Sequence, residues 1–238
     1  MAVRWGSLAE CRMQVHTDYR QRVVIRPGDV AWSASPEPGV TRQRLERDGD
    51  EVARATSIVR YAPGSRFAAH THGGGEEILV LDGVFEDEFG AYPAGTYLRS
   101  PIGSRHTPFS TQGTTLLVKL WQFEPDDQAL LRIDTRAAAM VPGAAPGMNV
   151  LLLHTFGDER VTLSRWLPGT RFRAHAHPRG EEIYVVEGVL SDEFGDYPAG
   201  TWLRSPPGSG HCPYSDQGCV FYMKIGHLPP GPSRPIVA

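Results

Sequence analysis

The chain has 238 residues, enough for one large domain or two small ones, each able to bury a core of its own. Its 24 lysines and arginines against 27 aspartates and glutamates leave a net charge of -3, which argues against a nucleic-acid surface. The opening stretch has no apolar signal core and no segment is long and apolar enough to span a bilayer, so a soluble cytoplasmic protein without a membrane partner is expected.

Cys11, Cys212 and Cys219 are the only cysteines, an odd and sparse count that does not suggest a disulfide framework, and no C-x-x-C occurs to suggest a zinc ribbon. Abundant glycine (26) and proline (20) with short apolar runs predict an all-β chain. In chain order, VVIRPGDVAW from Val23 and ARATSIVRY from Ala53 read as accessory strands. EEILVLDGVFEDEFG from Glu76 reads as an apolar run, a D-G turn and a second run. YPAGTYLRSP carries a Pro-Ala-Gly turn signal into another strand. AAAMVPGAAPGMN, residues 137–149, suits a linker, and the tail LPPGPSRPIVA suits a non-helical surface segment.

The second half repeats the first. PGSRFAAHTHGGGEEILVLDGVFEDEFGAYPAGTYLRSP from Pro63 aligns without a gap on PGTRFRAHAHPRGEEIYVVEGVLSDEFGDYPAGTWLRSP from Pro168. About three in five positions are identical through Lys119 and Lys224. A repeat of roughly 105 residues is a whole domain, so two domains are expected, residues 1–125 with the accessory strands and 126–238 with the Pro-rich tail. In ILVL (Ile78–Leu81) and IYVV (Ile183–Val186) successive residues are apolar, so both faces of that strand should be covered, as in a sandwich or jelly roll packed on the other domain. A homodimer is a further expectation from the same pattern.

Six of the nine histidines fall at matching places. G-x5-H-x-H-x3-E-x6-G runs from Gly64 through His70, His72 and Glu76 to Gly83, and again from Gly169 through His175, His177 and Glu181 to Gly188. G-x5-P-x-G-x2-H then ends at His106 and at His211. Residues two apart on a strand share a face, so each H-x-H pair can converge with a glutamate and a distant histidine. Three imidazoles and a carboxylate suit a divalent first-row ion, and four protein ligands on an octahedral ion leave two positions open, as in catalytic sites. Strand parity leaves open whether Glu76 or Glu77, Glu181 or Glu182, is the ligand; the second of each pair reads as a solvated group or one that orients a histidine.

These motifs resemble the two cupin motifs, and GGEEILVLDGVFEDEFGAYPAGTYLRSP resembles the cupin domain of ChrR-type anti-sigma factors. The chain is also similar to small cupin dioxygenases that cleave diketones and hydroxyacetophenones. The resemblance implies two tandem jelly-roll β-barrels, each with a metal inside, with Glu76 and Glu181 as the carboxylate ligands. The second motif departs from the family where Asn is common: Ser110 and Ser215 stand there.

Arg60, Arg66 and Arg99 recur as Arg165, Arg171 and Arg204. Salt bridges with Glu86–Glu88 or Asp192–Glu193 are their expected role, with Arg66 and Arg171 kept as candidate substrate contacts beside Tyr97 and Trp202. Cys212 is expected as a small buried residue facing away from the site, and His16, His154 and His227 carry no assigned role.

The functional expectation is a dioxygenase-type oxidoreductase with two divalent ions per chain, Fe(II) before Zn, Mn or Ni, acting on a small chelating diketone or hydroxyketone. The alternatives are a zinc-binding ligand sensor related to the ChrR-type factors, and a metal-dependent isomerase or decarboxylase. The anti-sigma role itself is disfavoured, because the residues before the first motif hold a single cysteine, Cys11.

Overall fold

The computed structural model describes residues 12–228; Cys11 and the tail from Pro229 lie outside them. Among the described residues there is no helix, and hence none long and apolar enough to cross a membrane. The chain folds into two antiparallel barrels of matching topology. We number the strands that build them β1 (Val23–Ile25), β2 (Val40–Asp48), β3 (Arg54–Tyr61), β4 (Glu76–Asp87), β5 (Thr96–Ser100), β6 (Thr114–Leu120) and β7 (Leu131–Asp134). In the second half follow β8 (Met148–Phe156), β9 (Glu159–Trp166), β10 (Glu181–Asp192), β11 (Trp202–Ser205) and β12 (Cys219–Ile225). The main sheets run β2-β3-β6-β4-β5-β7 and β8-β9-β12-β10-β11-β1.

The ends of these sheets are exchanged. β1 precedes the first barrel in sequence but pairs with β11 of the second, Val23 opposite Arg204 and Ile25 opposite Trp202. β7 precedes the second barrel but pairs with β5 of the first, Thr96 opposite Asp134. Each exchanged strand covers an edge that would otherwise expose unpaired backbone groups, and ties the halves into one body.

The expected D-G hairpin is absent. β4 is one continuous 12-residue strand through Asp82–Gly83, and a register shift opposite Thr115 and Leu116 marks a bulge. Gly83 has φ of 71°, and a Cβ there would collide with the carbonyl of Gly113. Glycine therefore bends the strand across the barrel rather than reversing it; Gly188 does the same against Gly218. The linker stretch also carries structure, with Val141–Pro142 pairing Asn149 and Val150.

The apolar runs divide between two cores. Ile78 and Val80 point into the first barrel with Phe85, Leu98 and Leu116. Leu79 points out, into an inter-domain core with Leu117, Tyr184, Trp202 and Tyr222. Ile183 and Val185 face the second barrel's interior while Tyr184 faces its partner. Each such side chain withdrawn from water contributes roughly 1.5–3 kcal/mol before entropy is charged. The two-sided apolar strand is therefore explained within one chain.

β2 was not legible as a strand, because VTRQRLERD looks solvent-facing. Its Glu46 is buried against Arg204 of the other half, 2.5 Å away, and Arg54, 3.3 Å away, so its charges are neutralised rather than hydrated.

Candidate metal centres

Two short ladders position the histidines. His70–Thr71 pairs antiparallel with Arg105–His106, placing His70 opposite His106. His175–His177 pairs with Ser209–His211, placing His175 opposite His211. His72 follows on the same face as His70, and Glu76 opens β4 after the triglycine turn Gly73–Gly75. The structure thus brings together His70, His72, Glu76 and His106 in one group and His175, His177, Glu181 and His211 in the other, with their ligand atoms within 4.8 Å of one another.

The geometry is that of donors converging on a point. Glu76 Oε2 lies 3.5 Å from His72 Nε2 and 3.4 Å from His106 Nε2; Glu181 Oε2 lies 3.5 Å from both His177 Nε2 and His211 Nε2. These six atoms are buried and have no hydrogen-bond partner in the protein. Orphaned buried polar atoms are costly, and here three at a time face one gap. The outer nitrogens are anchored: His70 Nδ1 donates to the Ala68 carbonyl at 2.8 Å and His175 Nδ1 to Arg173 at 3.0 Å. His106 Nδ1 donates to Asp87 at 3.4 Å and His211 Nδ1 to Asp192 at 3.2 Å. Fixing Nδ1–H leaves each Nε2 lone pair free for an ion. The donor set fits a divalent transition ion.

Protonation follows the same logic. Burial lowers the His72 and His175 pKa values, and burial together with its neighbours His211 and His175 pushes His177 down to about 3. Burial is the largest influence on His106 and His211 and would lower both, but the hydrogen bonds they donate to Asp87 and Asp192, together with the negative charge of the carboxylates around them, Glu76 and Glu181 included, raise both. Burial pushes the Glu181 carboxyl up to about 7, so without a cation the carboxylate is poorly solvated.

Asp87 and Asp192 had been expected to pair with arginines, as part of the acidic runs. Both orient the distal histidines and are themselves held by Tyr92 at 3.0 Å and Tyr197 at 2.6 Å; Asp192 does pair with an arginine, Arg22 at 3.1 Å, but not with one of the repeated ones. Their recurrence at the same place in both halves was the available signal. The arginines go elsewhere: Arg99 pairs with Glu77 at 3.1 Å and with Asp127, Arg204 with Glu46, and Arg171 with Asp216 at 2.7 Å.

Glu77 and Glu182 neither ligate nor face solvent. Glu77 accepts from Lys224 at 2.8 Å and from the Tyr222 hydroxyl at 2.5 Å; Glu182 accepts from Lys119 at 2.5 Å, Trp202 Nε1 at 2.7 Å and His227 at 3.0 Å. Burial opposes their ionisation, but the cations win: Lys224 and Arg99 bring Glu77 down to about 2, and Lys119 holds Glu182 well below the usual range. His154 pairs with Asp127 at 2.8 Å. The third acidic cluster, Asp127, His154 and Glu159, is filled by Arg99 and Lys224 and is an ion-pair network.

The proposed substrate contacts do not gather at the metal. Tyr97 and Trp202 are 0% exposed in the inter-domain core, because β5 and β11 turn those residues toward the partner domain. Arg66 and Arg171 are exposed over Phe109 and Tyr214; the strand breaks after Arg66 and Arg171, so the assumed common face with the first histidine does not exist. Cys212 is exposed rather than buried, and Cys219 is buried. Ser110 and Ser215 donate to Val84 and Val189 carbonyls at 2.6 Å, a structural bond within each barrel.

What opens on the first site was not legible. A cavity of about 410 Å³ reaches His70, His72 and Glu76, with Tyr61, Phe67, Phe85, Leu116, Val118 and Trp121 in its walls and the Arg42–Glu51 pair (2.9 Å) also lining it. The second site is reached by a cavity of only about 110 Å³, beside Arg22, His177 and His211. At the places of Tyr61, Leu116 and Val118 the second half has Trp166, Phe221 and Met223. Trp166 and Phe221 meet edge to face at 5.5 Å, and Met223 packs against the same cluster, filling that barrel.

The model of the ChrR cupin-like domain matches residues 20–124 and again 128–229. No curated protein matches the chain. Among solved structures it is similar to a candidate dioxygenase from Nostoc punctiforme (15% identity, 90% of this chain and 88% of that one, TM-score 0.72). It is also similar to the pirin YhhW from Escherichia coli in complex with nickel(II) (16%, 89% and 100%, TM-score 0.67). A mutant of Bacillus subtilis oxalate decarboxylase OxdC superposes as well (13%, 87% and 78%, TM-score 0.61). At such identities these likenesses concern the fold. With the family model matched once in each half and a His3Glu donor set inside each barrel, the chain is a two-domain, metal-binding member of the ChrR cupin-like family.

Proposed function

We propose that the chain is a metal-dependent enzyme of the dioxygenase type, acting through Fe(II) in the first barrel on a small organic substrate that chelates through two oxygens. The observation that carries this reading is the cavity of about 410 Å³ opening directly onto His70, His72 and Glu76. Three imidazoles and one carboxylate leave two positions of a six-coordinate ion free, and a bound ion there would supply Lewis acidity and a route for electron exchange. The chain's own residues set the stage. Asp87 keeps His106 basic at Nε2, the apolar walls exclude water, and the Tyr61 phenol in the wall is held protonated, its pKa raised by burial and by Glu76. Substrates of this reading are diketones and hydroxyketones, whose enol form binds as a bidentate oxygen donor.

The second barrel, with the same donors and a filled interior, binds an ion without admitting a comparable substrate. Zinc-dependent ligand sensing is the second reading, and the match to the ChrR cupin-like model favours it; the donor set accepts zinc as well.

The test is elemental analysis of protein purified without added metal, followed by oxygen uptake with a diketone panel. About two equivalents of iron are expected, with His70→Ala losing one equivalent and the uptake, and His175→Ala losing the other while lowering turnover less. Two equivalents of zinc, and no uptake after exchange to iron, would move the assignment to sensing.

A further inference from the structure

Trp121 follows β6 directly and has φ of 58°, the left-handed region, where a side chain with a Cβ is disfavoured. The equivalent residue of the second half is Gly226, at φ of 79°. The backbone needs this conformation in both halves. The second half meets it with the one residue that adopts it freely; the first keeps an indole there.

Space has been made for that indole. A Cβ on Gly73 would lie 2.8 Å from the ring, and one on Gly74 would collide with it. In the second half those positions are Pro178 and Arg179, and Arg179 instead pairs with Asp158 at 2.6 Å. Three differences between the copies, at Trp121, Gly73 and Gly74, are therefore one feature: an indole laid on the loop that joins ligand His72 to ligand Glu76. Trp121 also lines the cavity and is 44% exposed. A strained backbone and a half-wet indole do not serve folding, so the ring is kept for contact with what enters the cavity.

We propose that Trp121 is the specificity-determining wall of the first metal site, stacking on a planar apolar group attached to the chelating head of the substrate. This rests on the reading of the first barrel as an open metal site. The rest of the cavity agrees: Phe67 and Phe85 supply apolar wall, and Arg42, the cation of the lining, is already paired with Glu51 at 2.9 Å. The ligand class is thus a bidentate oxygen chelator carrying an uncharged aromatic or flat apolar body, rather than a second carboxylate.

The test uses the full, metal-loaded chain and two probes with one chelating head, acetohydroxamate and benzohydroxamate. The native protein is expected to bind benzohydroxamate roughly tenfold more tightly, the scale of one aromatic contact. W121G, whose backbone matches Gly226, is expected to keep both metal equivalents and its Tm, to bind acetohydroxamate within about twofold of native, and to lose the preference for the ring. W121F is expected to retain most of that preference. A W121G protein that still prefers benzohydroxamate, or that loses both probes equally with metal retained, overturns the wall. If W121G unfolds, W121F against Trp121→Leu decides: equal preference in these two overturns it. Failure of both probes to bind native protein in a His70-dependent manner overturns the open-site reading as well, which separates the two failures.

Discussion

Glu77 of the first half and Lys224 of the second are joined at 2.8 Å with neither exposed to water, and Glu182 and Lys119 repeat the pair in the opposite direction. On β4 and β10 each of these glutamates is the neighbour of a metal-facing one, so alternate residues of one strand serve the ion and the other domain. The barrels are therefore locked together directly behind their metal sites.

Removing one partner leaves a buried charge. Lys119→Met is expected to destabilise the chain by about 3–5 kcal/mol, because Glu182 keeps only Trp202 and His227. The double change Lys119→Met with Glu182→Gln should cost clearly less than the sum of the two singles. Urea unfolding of the three variants checks this; strict additivity would show that the pair is not coupled.

The same carboxylates predict acid sensitivity. Glu77 has a folded pKa of about 2 against an ordinary 4.5, so its stabilisation is complete above 4.5 and is lost as pH falls toward 2. Glu182 shifts in the same direction. The urea midpoint should fall between pH 5 and pH 3, and fall less in the Glu77→Gln variant, which no longer titrates there.

Metal uptake at the second site should be proton-linked. The Glu181 carboxyl titrates near 7 when no cation faces it, so below that pH an arriving ion must displace its proton. In His70→Ala protein, where only this site remains, metal affinity should drop by at least about tenfold per pH unit between pH 6.5 and 5.5, because His211, whose pKa is also raised, must give up a proton as well. Titration with zinc in buffers of differing ionisation enthalpy would count the proton released; a count of zero removes the assignment.

Asp87→Asn and Asp192→Asn test the anchoring of the distal histidines. Each should weaken the ion of its own barrel by roughly 10–100-fold while the other ion stays. Competition against a chelator, read per site with His175→Ala and His70→Ala backgrounds, separates the two. A loss at both sites together would mark a folding defect instead.

The interior of the second barrel should be convertible. Phe221→Leu with Met223→Val, which restores the first half's residues at those places, is expected to open a cavity beside Glu181 at a cost of about 1–4 kcal/mol. Benzohydroxamate binding that survives His70→Ala in this variant, and is absent without it, is the expected signature.

The six histidine donors were legible because strand parity makes H-x-H a local statement and the duplication states it twice; the choice of Glu76 over Glu77 and of Glu181 over Glu182 came from the family resemblance, since parity left it open. Asp87 was visible only as one of several acids in EDEF, since what distinguishes it is a histidine nineteen residues later on a separate strand. β2 was missed for the converse reason: its charges read as hydrated until the partner charges, from the other half, are in place. Tyr97 and Trp202 were misplaced because alternation tells which residues share a face but not which face meets the metal.

Duplication, all-β character and the two histidine triads follow from residue types and their spacing along the chain, which is all that strand geometry and metal chemistry require; which glutamate of each pair joins them did not. The exchange of β1 and β7, the burial of Glu77 and Glu182 between domains, and the open first barrel beside the filled second one were decided by packing. They depend on which distant surfaces meet, and on side-chain volumes such as Leu116 against Phe221 acting in three dimensions, where neighbours in space are not neighbours in sequence.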